Sequence, residues 1–412
     1  MIKAKTLLPS RENAAIVLTF AFVVGFLGAR ALLSIATLLL GLNALRGTKP
    51  RDWLRQKGWL LGVLWVALYA LSFFWTENLE EWGERVQVKL PLLLLPLAMA
   101  YPLGLSRKQN AVLMSGVCLL LLSGIAFSLS FFVKDAARIA QQYGSSYTFR
   151  TPAYNCHICF SAFCAATVFW IGAQWSRLSS ISRMLAGFTA VVLVAYLHLL
   201  AAKTGLVMLY GAGVLLIVRD VYRRRFRRVG FFVGSLLLLL AVAWTAVPTF
   251  RARMGYIRWS IEEYQSGRPA AHYSDPGRIY SYQVALAQIK EAPLTGHGAG
   301  DLKTAMDAGY DRLFPQIAPE NRLVPHNQFL ASGVAVGIPA TLVFLLWWLA
   351  IPINALRRSQ RFYNIGIWVL VSVLLFVDPA FEVQFGMAVF LFFLYWFRNL
   401  HTPKTPSSSL PK

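Results

Sequence analysis

The stretch Arg219-Asp220-Val221-Tyr222-Arg223-Arg224-Arg225-Phe226-Arg227-Arg228 carries six arginines between two apolar runs, 205–219 and 229–247. A short arginine-rich loop between apolar runs is what a helical hairpin leaves on the cytoplasmic side of a membrane, because Lys and Arg are retained there. The rest of the chain repeats the pattern. Of its 412 residues, 57% are hydrophobic and 14% charged, and mean hydropathy is +0.53, which excludes an ordinary soluble domain. Apolar runs that suit transmembrane helices fall at 13–28, 31–45, 58–75, 90–104, 110–133, 153–175, 184–200, 205–219, 229–247, 328–353, 363–378 and 384–397. The expected fold class is therefore an all-α polytopic membrane protein with about twelve transmembrane helices.

Placing the N-terminus inside puts 24 of the 40 Lys and Arg residues in cytoplasmic segments, with only Glu12, Asp52 and Asp220 among the acids. The opposite side carries 16 basic and 15 acidic residues. This asymmetry predicts that both termini are cytoplasmic. It also accounts for the net charge of +22, which in a soluble protein would suggest nucleic acid. The expected partners are membrane lipids rather than nucleic acid. The organisation predicted is nine helices over 1–247, a large external loop over 248–325, three helices over 326–397 and a disordered tail, 398–412. Arg30 interrupts a small-residue cleavage site after the first apolar run, so a retained span is expected there.

Cys156-His157-Ile158-Cys159 lacks the second half of a zinc site and reverses the haem-attachment order, so buried thiols are expected. In the second external loop, Glu77, Glu80, Glu81 and Glu84 suit either a divalent ion or a solvated helix, the latter favoured. Arg85 and Lys89, four apart, share a helical face at headgroup depth. They suit a phosphate, or else snorkelling and pairing with Glu81 and Glu84. Arg150 precedes an apolar helix among aromatics and is either a bidentate pyrophosphate clamp or an interfacial anchor. Lys203 sits in the tight turn Ala201-Ala202-Lys203-Thr204-Gly205, where an ionisable group is a functional candidate by default.

The loop 248–325 holds two short helical patterns. In the second, Ile279, Tyr282, Leu286 and Ile289 share a face, and Asp275-Pro276 starts a helix with Arg278 in its first turn. A cation there opposes the helix dipole, which points to a nearby anion. Pro293-Leu294-Thr295-Gly296-His297-Gly298-Ala299-Gly300-Asp301 lacks the strand and Gly-Lys-Ser/Thr of a P-loop and reads as a tight turn packed on the membrane helices. Arg322-Leu323-Val324-Pro325-His326-Asn327-Gln328-Phe329-Leu330 then runs into an apolar helix. Pro325 suits its first turn, which places His326 at a helix N-terminus, kept neutral by the dipole as a general base requires. Capping or a surface hydrogen bond is the plainer use of His326. His326, Leu330, Gly333 and Gly337 share a face, and Gly333 and Gly337 admit a close neighbouring helix. Beyond it, Asp378 and Glu382 are placed to orient a neighbouring His or Arg.

External cations at Arg85, Lys89, Arg150, Lys203 and Arg278, with one histidine, suit a substrate carrying pyrophosphate. Nucleotide sugars are cytosolic, so an external enzyme would draw on a lipid diphosphate donor. Cations would stabilise the leaving pyrophosphate, and His326 would accept the proton of an acceptor hydroxyl. A transporter of this size should show repeated halves with broken helices, and the sequence shows none.

Arg278 with its amphipathic helix, Pro293-Leu294-Thr295-Gly296-His297-Gly298, and His326-Asn327-Gln328-Phe329-Leu330 with Gly333 and Gly337 resemble the O-antigen ligase and polymerase superfamily. The motifs span residues 278–337, and the helix count with one large loop before the tenth span extends the likeness over most of the chain. The resemblance implies a GT-C-type glycosyltransferase of the bacterial inner membrane with a periplasmic site. It implies a donor of undecaprenyl-diphosphate-linked O-antigen glycan and, for ligase members, a lipid A–core acceptor in the last step of lipopolysaccharide assembly, with neither metal nor cofactor. It makes Arg278 and His326 the essential pair. A further family arginine, in a Ser-Arg-Gly-like turn, falls on Lys203, a departure that keeps the charge but loses the bidentate fork. The compact loop and short tail resemble a ligase more than a polymerase or a pilin-type oligosaccharyltransferase.

Overall fold

The computed structural model describes residues 9–46, 57–98, 103, 105–143, 148–266, 274–356 and 361–396, and these are helical with no strand. The tail expected at 398–412 and most of the loop 46–57 lie outside them. In chain order the helices are α1 (Arg11–Gly28), α2 (Arg30–Leu45), α3 (Lys57–Leu71), α4 (Leu79–Lys89), α5 (Pro91–Ala98), α6 (Arg107–Lys134), α7 (Ala136–Gln142), α8 (His157–Gln174), α9 (Ser180–Leu200), α10 (Lys203–Tyr222), α11 (Phe226–Ala246), α12 (Pro248–Gln265), α13 (Ser274–Glu291), α14 (Leu302–Leu313), α15 (Gln328–Leu356), α16 (Arg361–Val377) and α17 (Gln384–Leu391).

Seven of the described helices are long and apolar enough to cross a membrane: α1, α6, α8 with its extension to Arg177, α9, α10, α11 and α15 to Asn354. Shorter apolar helices at Arg30–Leu45, Gly58–Phe74, Arg361–Val377 and Gln384–Leu394 coincide with four further expected spans. The run expected at 90–104 is helical over Pro91–Ala98, and part of the remainder falls outside the described residues. The protein is a helical membrane protein.

Helix ends follow the local sequence. Ser10, Asn78, Ser106 and Ser179 each accept a backbone N–H of the first turn of α1, α4, α6 and α9. The basic loop 219–228 is a true helix break, since Arg224 adopts a φ of 53°. Arg219 there pairs with buried Asp220 and donates to the Tyr363 hydroxyl of α16.

Two departures from the sequence reading shape the functional end. First, α15 begins at Gln328, not at Pro325 or His326. Asn327 is its cap, its Oδ1 accepting the N–H of Phe329 at 2.9 Å and of Leu330 at 3.2 Å. Second, α15 breaks at Gly337, whose φ of 81° and ψ of 175° suit only glycine. The glycine-rich turn repairs the break. His297 and Gly298 donate to the carbonyls of Val334 and Ala335, and Ile338 donates to Pro293 at 2.8 Å. A Cβ at Gly337 would collide with the Leu294 carbonyl, so the glycine admits this turn. Gly333 faces Ile289 of α13, the close neighbour expected there. Asp301 closes the other side by accepting the backbone N–H of Glu77 and Asn78.

Candidate active site at one end of the helical bundle

The turn between α9 and α10 places Lys203. Ala201 adopts a left-handed conformation (φ 47°) that ends α9, and Ala202 leads into α10. The carbonyls orphaned at the end of α9 are satisfied from elsewhere: Thr249 Oγ1 donates to Leu199 and Tyr143 Oη to Leu200. A Cβ at Gly205 would meet Ser161, so the glycine lets α10 seat against α8. Lys203 Nζ then reaches Asp275 at 2.6 Å, joining the turn to the start of α13. Arg278 stands one turn further along α13.

Between these elements lies a small cleft lined by Thr148, His157, Lys203, Thr204, Arg253 and Arg278. Its cavity volume is ≈ 60 Å³, well below the roughly 300 Å³ of a drug-sized pocket, so it fits a compact group rather than a saccharide. Its polar lining is basic. Arg253, only 3% exposed, is held between the rings of Tyr143 and Tyr256, with Cζ 4.9 Å and 5.6 Å from their centroids. Burial lowers the pKa of its guanidinium, opposed by Tyr143, Tyr256 and Asp275. An anion entering the cleft would relieve that penalty. The sequence reading missed Arg253 because it lies mid-helix in α12 with no motif around it. It missed His157 because the motif was read through its two flanking cysteines, taken as buried thiols, and the histidine between them was given no part.

His326 is not among the cleft's lining residues, and its Nδ1 is 3.1 Å from Asp378 Oδ1. A carboxylate on Nδ1–H selects the tautomer that leaves Nε2 as the proton acceptor. Nε2 makes no hydrogen bond among the described residues. The histidine's backbone is held as well. Tyr282 Oη donates to the His326 carbonyl at 2.8 Å. Burial raises the pKa of the Tyr282 phenol, countered by Arg278, so at neutral pH it keeps the proton it donates. Upstream, Arg322 is fixed by Asp311 at 2.6 Å and the Ile317 carbonyl. Through its bond to the carbonyl, Tyr282 ties His326 to α13, the helix whose first turn carries Arg278 of the cleft.

The other cations named from sequence lie elsewhere. Glu382 accepts from Lys89 at 2.8 Å and Arg85 at 3.2 Å on one oxygen, and from Tyr69 at 3.0 Å and Gln328 at 3.1 Å on the other. Burial alone would raise the pKa of this carboxyl, but Lys89 and Arg85 outweigh it and hold it down to about 2. Lys89 is fully buried, and its charge is balanced inside the protein, so the structure gives this pair to Glu382 rather than to the cleft. Arg150 lies over the Phe131 ring at 4.9 Å and lines a separate open groove with Val24, Leu27, Phe127 and Tyr154. Of the face expected on α13, Tyr282 and Ile289 are half-buried while Ile279 and Leu286 point outward, and Ser281, Val284, Ala285 and Gln288 are among its buried residues.

Cys156 and Cys159, expected as thiols, form a disulfide; their Cα atoms are 5.3 Å apart, within bonding range. Cys118 and Cys164 are buried and free, as expected. Among the described residues, no group of three or more His, Cys, Asp or Glu is placed to hold a metal ion.

The structure is thus that of a helical membrane protein with a small basic cleft and a carboxylate-paired histidine tied to the helix that bears one of the cleft's arginines. Residues 188–345 match the family model described as O-antigen ligase. The matched segment contains Lys203, Arg253, Arg278 and His326. No curated protein matches the chain.

Proposed function

We propose that this protein is an O-antigen ligase with a GT-C-type fold of twelve spans. In this reading it works at the periplasmic face of the bacterial inner membrane, with both termini in the cytoplasm. It transfers the glycan of an undecaprenyl-diphosphate-linked donor to a sugar hydroxyl of lipid A–core. The observation that carries the reading is the convergence of Lys203, Arg253 and Arg278 on one small cleft, with His326, whose Nδ1 is held by Asp378, tied through Tyr282 to the helix that bears Arg278.

The acceptor hydroxyl gives its proton to His326 Nε2 as its oxygen bonds to the anomeric carbon. The bond from that carbon to the diphosphate oxygen breaks, and undecaprenyl diphosphate leaves with the electron pair. Arg278 and Arg253 take the growing negative charge through planar guanidinium forks, and Lys203 as a point charge, without a metal ion. Attack from the side opposite the leaving group inverts the anomeric centre.

The test is complementation of a deletion strain, read on a lipopolysaccharide gel. His326→Ala and Arg278→Ala are expected to give lipid A–core without O-antigen, and purified protein should transfer in the presence of a chelator. A full ladder from His326→Ala would sink the assignment of the base. Core carrying a single repeat unit in the deletion strain would turn the reading from ligase to polymerase.

A further inference from the structure

His157 stands on the wall of the basic cleft with Lys203, Arg253 and Arg278, yet the transfer described above leaves it without a part. Its setting is heavily constrained. Ala153, Tyr154 and Asn155 are three consecutive non-glycine residues with positive φ, at 58°, 53° and 66°. Such conformations persist only where the surroundings enforce them, and they gather at functional sites. Here Ala153 N–H donates to the Leu27 carbonyl at 3.0 Å, and Asn155 Oδ1 accepts from Thr151 N–H at 3.1 Å. His157 N–H closes the turn on the Asn155 carbonyl at 2.9 Å. The disulfide then joins Cys156 to Cys159, so the two cleft-lining residues between them, His157 and Ile158, are clamped on both sides. The imidazole itself makes no hydrogen bond among the described residues.

We propose that His157 is a further binding residue of this site, donating an imidazole N–H to a diphosphate oxygen of the donor lipid, and that the Cys156–Cys159 disulfide holds it at that position. The proposal rests on the transferase reading above. Three cations supply the charge in this cleft, and two of them have other attachments: Lys203 to Asp275, Arg253 to two tyrosine rings. An imidazole N–H adds a directional donor, and the turn that holds the His157 backbone places it on the cleft wall.

The experiment measures binding of undecaprenyl diphosphate to the purified protein in nanodiscs, together with kcat and KM for transfer. His157→Ala is expected to weaken binding and raise the donor KM by about tenfold, the usual scale of one hydrogen bond to a charged group, with kcat little changed. One of His157→Asn or His157→Gln should restore affinity, the successful one reporting which ring nitrogen donates. Cys156→Ser/Cys159→Ser should weaken binding in the same direction, and its effect should not add to that of His157→Ala. Unchanged donor affinity in His157→Ala, while His326→Ala binds donor but fails to transfer, overturns the proposal and leaves the ligase reading standing. A loss of thermal stability in His157→Ala with normal donor KM also overturns it. If the wild-type protein does not bind the lipid diphosphate, the transferase reading falls and this proposal falls with it.

Discussion

Single side chains divide into those that would meet the substrate and those that hold them in place. Asp378 belongs to the second group, since it touches His326 and not the cleft. Asp378→Ala is therefore expected to lower kcat about 100-fold, by releasing the tautomer and orientation of the imidazole, with the donor KM nearly unchanged. Steady-state kinetics of the purified variant would check this, and unchanged turnover would remove Asp378 from the proton transfer. Glu382 is different. It neutralises the buried Lys89 and ties the start of α15 to α3 and α4. Glu382→Gln leaves that lysine without a counter-charge and should cost on the order of 3–5 kcal/mol of stability. The carboxylate is held down to about 2, so its stabilisation is fully present above the ordinary carboxylate range and is lost as pH falls toward 2. Thermal unfolding in detergent at neutral pH and at pH 3 measures both. The variant should melt lower at neutral pH, and the gap should narrow at pH 3.

At the scale of elements, α15 and the turn 293–301 form one unit. The helix gives up its ladder at Gly337, and the turn supplies the donors and the acceptor that the break exposes. Gly337→Ala puts a Cβ against the Leu294 carbonyl in a conformation that only glycine tolerates. The variant should lose roughly 3 kcal/mol or more, through strain and separation of the turn from the helix. A melting temperature equal to that of the wild type would show that the turn is not fastened there. The break also explains why Gly333 and Gly337 were only half legible in the sequence. Their spacing announced a close neighbour, and α13 is one. Periodicity carries no signal for a backbone that leaves the helix and returns to it.

At the scale of the whole molecule, the proposed sidedness follows from where the arginines lie. The loop 219–228 belongs to the cytoplasm in this reading, and α12 to the opposite side. Arg225→Cys and Ser266→Cys introduce thiols at exposed positions on the two sides, while the native Cys118 and Cys164 are buried and Cys156 and Cys159 are bonded to each other. A membrane-impermeant thiol reagent with access to the periplasm of intact cells should label Ser266→Cys and not Arg225→Cys. The reverse pattern would invert the topology and move the cleft to the cytoplasm.

The sequence by itself determined that this is a helical membrane protein, since a long apolar run leaves the backbone few ways to satisfy its polar groups in lipid. It also named Lys203, Arg278 and His326 through a tight turn, a helix start and a polar stretch that meets an apolar helix. Which cations share a cleft was decided only by tertiary structure. Arg85, Lys89 and Arg278 look alike along the chain, but a carboxylate more than 290 residues away takes the first two, and Arg278 is left facing the cleft. Arg253 and His157 reach the same cleft from helices whose local sequence gives no sign of it. Local sequence dictates where a helix begins and which residues share its face. The partner of a buried charge is set by whichever distant group the packing brings within a few ångströms, because desolvation leaves an unpaired charge no stable alternative.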